Sequence, residues 1–175
     1  MRKAVFLAAL LVLLPAFAVA GDTPKAEVFG GYQYLHVSDN GFSQGFNGWD
    51  AALTGNVTKE FGITGDFSGS YATISGVKAH VYTYAFGPTV NLNHNGVLNP
   101  FAHALFGGAH LNGSVSGSGS ASTNGFAMAI GGGADAKVAP HIAVRLGQFD
   151  WVYYRFEGQG FSKNFRYSGG IVFRF

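Results

Sequence analysis

Residues 165–175 (FRYSGGIVFRF) constrain this chain more than any other stretch. Phe165, Tyr167, Gly169, Ile171, Phe173 and Phe175 alternate with Arg166, Ser168, Gly170, Val172 and Arg174. A strand sends such residues to opposite faces. One face is apolar or aromatic, and the other is mostly polar or small. A transmembrane β-strand takes about 9–11 tilted residues, which is the length of this run. An amphipathic edge strand of a soluble β-protein shows the same alternation, so the rest of the chain has to decide.

The N-terminus reads as a secretory signal. Arg2 and Lys3 precede the apolar run Ala4–Leu14, and Ala18-Val19-Ala20 is a small-x-small cleavage site. Pro15 interrupts the run and no second apolar helix follows, which disfavours a retained membrane helix. Residues 1–20 are therefore expected to leave as a signal peptide, with 21–175 as the mature domain. The C-terminal pattern of Ser168, Gly170, Phe173 and Phe175 resembles the β-signal of bacterial outer-membrane barrels. That resemblance implies recognition by the barrel assembly machinery and delivery to the outer membrane of a double-membrane bacterium.

Composition agrees. Without Arg2 and Lys3, nine basic residues face nine acidic ones, so the mature chain is near neutral and nothing points to nucleic acid. Cysteine is absent, which removes disulfides, thiol nucleophiles and cysteine metal sites. Charged residues are 11%, against roughly 25% in an average soluble domain. The 27 glycines and 15% aromatics fall in short alternating runs, as in membrane barrels.

Alternation predicts strands at 26–37, 47–57, 61–71, 79–90, 101–111, 126–137, 142–154 and 163–175. Between them lie loops at 38–46, 72–78, 112–125 and 155–162 and shorter turns at 58–60, 91–100 and 138–141. Pro88 lacks a ladder donor and belongs near a strand end. In the fifth strand Ala102, Ala104 and Phe106 are expected outward and His103 inward. In the seventh, Ile142, Val144 and Leu146 face outward, but parity then turns Gln148 and Asp150 to lipid as well. A charge there is costly, so either a bulge near Gly147 or the end of the membrane band there is expected. Tyr34, Trp49, Tyr71, Tyr82, Trp151 and Tyr153 form one aromatic girdle, and Phe61, Phe173 and Phe175 the other.

Long and short connections alternate, as external loops and periplasmic turns do in outer-membrane barrels. The expected fold is therefore an all-β, up-and-down, eight-stranded antiparallel transmembrane β-barrel. The mature chain resembles the small eight-stranded outer-membrane β-barrel superfamily, the fold of the outer-membrane protein A barrel. With no residues after Phe175, no peptidoglycan-binding domain is expected. The fold hosts adhesins, structural proteins and a few lipid enzymes, so function must come from a site.

The informative candidates are lumen charges. Glu27, Asp50, Asp66, Asp135, Lys137, Arg145, Arg166 and Arg174 all fall on inward parities. An eight-stranded interior is just filled by side chains, and buried charges must pair. A hairpin centred at residue 140 brings Asp135 opposite Arg145, and barrel closure brings Glu27 beside Arg174. Such pairs either plug the lumen or gate a narrow channel. His36, Ser38 and Asp39 hint weakly at acyl hydrolysis, but no glutamate completes the pattern of the family's deacylases. Six histidines, including His94, show no metal-ligand spacing; a turn centred near residue 95 would set His80 opposite His110. No cofactor is implied. The expected protein is a non-enzymatic monomer contacting outer-membrane lipid and lipopolysaccharide, with a structural or surface-interaction role through external loops. A small-solute channel is the alternative, followed by a lipid-A-modifying enzyme.

Overall fold

The computed structural model describes residues 25–39, 42–74, 76–93, 96–115 and 119–175. The expected signal peptide and His94 lie outside them. The described residues form eight strands: β1 (Ala26–Asp39), β2 (Phe42–Asn56), β3 (Phe61–Ile74), β4 (Val77–Asn91), β5 (Leu98–Val115), β6 (Gly119–Ala139), β7 (Ile142–Phe156) and β8 (Gln159–Arg174). Each pairs antiparallel with its chain neighbour, and β8 pairs with β1 to close the barrel.

Alternation becomes inside and outside. On β1, Glu27, Phe29, Gln33 and Leu35 are buried, whereas Val28, Tyr32 and Tyr34 are exposed. On the outer wall Leu53, Ile63, Phe67, Phe86, Phe106 and Ile130 are all more than two-fifths exposed. A continuous apolar wall of this kind is hidden only by lipid, and closure leaves no unpaired strand edge within the hydrocarbon. His103 points inward and Ala102 and Phe106 outward, as the alternation predicts.

Closure uses the C-terminal pattern directly. Glu27 pairs with Arg174 and the ladder runs to His36 opposite Phe165. The Phe175 amide donates to the Ala26 carbonyl at 2.8 Å. Gly170 lies opposite Gly31, and a Cβ on Gly170 would stand 2.5 Å from the Gly31 Cα and collide with the Gly30 carbonyl. Glycine at this position is what lets the two strands meet.

The expected bulge is present. β7 steps from Arg145 opposite Asp135 to Gly147 opposite Ala134, leaving Leu146 as an extra residue. Parity inverts there, so Leu146 and Phe149 face outward while Gln148 and Asp150 are buried. Lys137 keeps the expected register, opposite the inward Ala143, and the second shift, at Lys137/Ala139, falls after it. Lys137 is exposed at the periplasmic mouth and is not a lumen charge. Pro88 interrupts the β4–β5 ladder, which is paired at Phe86–Phe106 and resumes at Thr89–His103.

The external end departs from the expected loops. Much of 38–46, 72–78, 112–125 and 155–162 is strand, and β6 reaches 21 residues. Gly113 pairs with Ala121 and Ser114 with Ser120. Above the membrane a hairpin needs no apolar face, so a polar Gly/Ser/Thr/Asn sequence pairs without showing the period-2 signal. The β7–β8 connection is a two-residue turn, Glu157-Gly158, with φ 48° and 87°. Positive φ at both central residues matches the twist of the flanking strands.

The lumen has two layers. Its external half holds an apolar cluster of Leu35, Phe46, Val81, Leu105, Val152 and Tyr154, with Val37, Leu111, Phe156 and Phe161 packed against it. The middle and periplasmic half is polar, apart from a small patch of Phe29, Ala52, Ala143 and Val172.

Candidate functional site

β7 and β8 supply the arginines of the polar layer. Arg166 donates through Nη1 and Nη2 to both oxygens of Asp66, at 2.7 and 3.1 Å, and through Nε to Asp150 Oδ2 at 2.8 Å. Asp150 also meets His103 Nε2 at 2.8 Å and accepts from Gln148 Nε2 at 2.8 Å. Gln148 in turn accepts from Arg145 Nη1 at 2.6 Å. Arg145 holds Asp135 with two hydrogen bonds, 2.8 and 3.2 Å, and its guanidinium lies between the rings of Phe29 and Phe101, 4.2 and 4.3 Å from their centroids. Arg174 Nη2 reaches Asp135 at 3.4 Å and Arg174 Nε lies 3.5 Å from Glu27. One connected network thus runs from Glu27 at the periplasmic mouth to Asp66 at mid-barrel.

Forked arginine–carboxylate pairs are the strong form of this interaction because two parallel hydrogen bonds fix the geometry. Asp50 is the exception. It is 1% exposed, both its oxygens lack a hydrogen-bond partner, and Arg166 Nη1 stands 3.9 Å away. Beside the ion pairs, Thr54, Thr64 and Thr89 link hydroxyls across β2, β3 and β4 at 2.8 and 2.6 Å.

At the external end, the girdle on β2–β4 is hydrogen-bonded. Trp49 Nε1 donates to Tyr71 Oη at 3.1 Å, and the Tyr71 and Tyr82 hydroxyls are 3.5 Å apart. Above it the wall divides. The β2–β3 ladder ends at Asn47–Tyr71, whereas β1–β2 continues to Asp39–Phe42 and β3–β4 to Ile74–Val77. On its other side the β1–β8 ladder ends at His36–Phe165. The upper β1–β2 hairpin therefore stands apart from both neighbours.

No family model matches the sequence, and no curated protein matches it. Solved structures do. Neisserial surface protein A (NspA) aligns over 89% of this chain and 100% of its own, at TM-score 0.75 and 10% identity. Ail, the attachment invasion locus protein of Yersinia pestis, aligns over 87% and 99%, at 0.63 and 15%. The N-terminal β-barrel domain of Pseudomonas aeruginosa OprF aligns over 88% and 100%, at 0.62 and 11%. This is the fold of the small eight-stranded outer-membrane barrels. At these identities the likeness carries the architecture, and roles must be read from this barrel's own residues.

Within that barrel, the residues expected in the lumen lie as follows. Glu27, Asp50, Asp66, Asp135, Arg145, Arg166 and Arg174 line it, and Lys137 does not. Of the terminal pattern, Ser168 is buried inward, Gly170 lies in the closing seam, and Phe173 and Phe175 are exposed outward. Asp150 joins the lumen through the bulge, and Gln33, Gln148 and His103 are buried there with it. His80 and His110 are not opposite each other. The β4–β5 register pairs His80 with Asn112 and Tyr82 with His110, because Asn91 pairs with Phe101 and so centres the turn at residue 96, not 95. The hydroxyl that His36 reaches is Ser43, at 3.4 Å across the hairpin.

Proposed function

We propose that this is a non-enzymatic outer-membrane barrel with a structural or surface-interaction role, carried by the hairpins that rise above its external girdle. In this reading residues 1–20 direct export and are removed, and Ser168, Gly170, Phe173 and Phe175 present the closing strand to the assembly machinery. The exposed apolar wall is the lipid contact. The mature barrel works as a monomer in the outer membrane of a double-membrane bacterium.

The observation that carries the reading is the doubly closed lumen. Arg166 and its carboxylates cross the middle, and Leu35, Phe46, Leu105 and Tyr154 fill the external half. An ion entering from outside meets apolar side chains, which do not replace its hydration shell. What the barrel offers its surroundings is then the external rim.

Reconstitution in planar bilayers tests this. Heat-modifiable, folded barrel should insert without unitary current steps. Reproducible steps would support the narrow channel instead. Five buried carboxylates, Glu27, Asp50, Asp66, Asp135 and Asp150, share the lumen with three guanidiniums, so such a channel would favour cations.

A further inference from the structure

The divided β2–β3 wall leaves a cleft of about 360 Å³ above the Trp49–Tyr71–Tyr82 girdle. Gln44 and Asn47 line one side; Tyr71, Thr73, Lys78 and His80 line the other. Its size falls at the lower end of small-ligand sites, about 300–1,000 Å³. We propose that this cleft binds the phosphorylated sugar headgroup of an outer-leaflet glycolipid. The proposal deepens the surface-interaction reading and rests on it.

Three observations select that ligand. The first is level: the cleft opens directly above tryptophan and tyrosine side chains of the kind that sit at headgroup depth. The second is charge. Lys78 is in the cleft and no carboxylate lines it. Among the described residues, the charged side chains on outward strand positions of the external half, Lys78, Arg155 and Lys163, are all cations. The third is hydrogen-bonding chemistry. Two amides, a phenol, a threonine hydroxyl and an imidazole suit sugar hydroxyls, and an ammonium suits a phosphate. A peptide strand inserted into the gap could not be held on both sides: above the last β2–β3 pair, β2 offers Phe42–Phe46 but β3 only Ala72–Ile74, three residues against a usual strand of about 5–6.

Tyr71 sets the floor. Its ring meets His80 edge-on at 5.1 Å, and in the β3–β4 register Tyr71 lies opposite His80 and Thr73 opposite Lys78. Lys78 and His80 thus stand one above the other on the same outward face. Across the gap, Asn47 is held by the Tyr32 hydroxyl at 2.5 Å.

The test is retention of purified diphosphoryl lipid A by the detergent-solubilised folded barrel, counted by native mass spectrometry. The Lys78→Gln/His80→Gln variant should lose about tenfold in retention, the scale of one charged hydrogen bond. Arg155→Gln/Lys163→Gln, on the far side of the barrel, should stay within about twofold. Thr73→Trp, which fills the cleft without changing charge, should match the first loss, so the result does not hang on one variant's folding. Lipid A stripped of both phosphates should be retained poorly by the parent. Equal retention by the parent and Lys78→Gln/His80→Gln would overturn the site, and equal retention of dephosphorylated lipid A would overturn the phosphate. Tighter binding of soluble dextran sulfate that displaces lipid A would overturn the membrane source. None of these outcomes alters the bilayer current record, so the plugged-barrel reading stands or falls separately.

Discussion

Arg166→Met should destabilise the folded barrel by about 3–5 kcal/mol, because removing one partner leaves buried charge uncompensated. Arg166 donates to Asp66 and Asp150 and lies 3.9 Å from Asp50, so one substitution strips the cation from three carboxylates that are each 1–2% exposed. Urea titration in lipid vesicles, followed by the heat-modifiable gel shift, would measure it. Arg166→Lys should recover only part of the loss. A lysine ammonium is a point charge and cannot fork onto Asp66 while bonding Asp150. A Met variant within about 1 kcal/mol of the parent, the range of surface ion pairs, would mean that the network does not hold the barrel.

The second large effect belongs to Asp135 and Arg145, which face each other across the β6–β7 hairpin at 2.8 Å. Arg145→Gln alone should cost about 3 kcal/mol, the lower end for a broken buried pair, because Arg174 still reaches Asp135 at 3.4 Å. Asp135→Asn alone should cost a similar amount, since it frees Arg145 between two aromatic rings. The double variant should be more stable than the sum of the two losses. Additive losses would show that the two side chains are not coupled.

Much of this barrel is written in its alternation. The last eleven residues specify which side of β8 is wet, and β1 reads the same way, so the Glu27–Arg174 contact follows from closure. Asp150 is instructive. Simple parity sends it to lipid, the cost of that calls for a bulge near Gly147 or the end of the membrane band, and the structure has the bulge, which returns Asp150 to the lumen beside Arg166. Three features were harder to read. The upper β5–β6 hairpin carries no period-2 apolar signal because Gly, Ser, Thr and Asn fill most of its positions on both faces. Histidine placement on β4 and β5 depends on the centre of one turn, and a shift of that centre from 95 to 96 is enough to part His80 from His110. The apolar cap hides because Leu35 and Leu105 share inward parity with polar residues lower on the same strands, Gln33 and His103. Polarity on those faces changes with height along the barrel, and a face average conceals it.

Sealing of the lumen by the apolar cap can be measured directly, because the chain has no cysteine. Leu105 is fully buried in the cap, so Leu105→Cys places a lone thiol there. A membrane-impermeant maleimide added to the external face should leave Cys-bearing folded barrel unlabelled, label it fully after heat unfolding, and label an exposed Ser122→Cys control in both states. Labelling of the folded Leu105→Cys barrel as fast as the Ser122→Cys control would show water reaching the cap and contradict the sealed lumen.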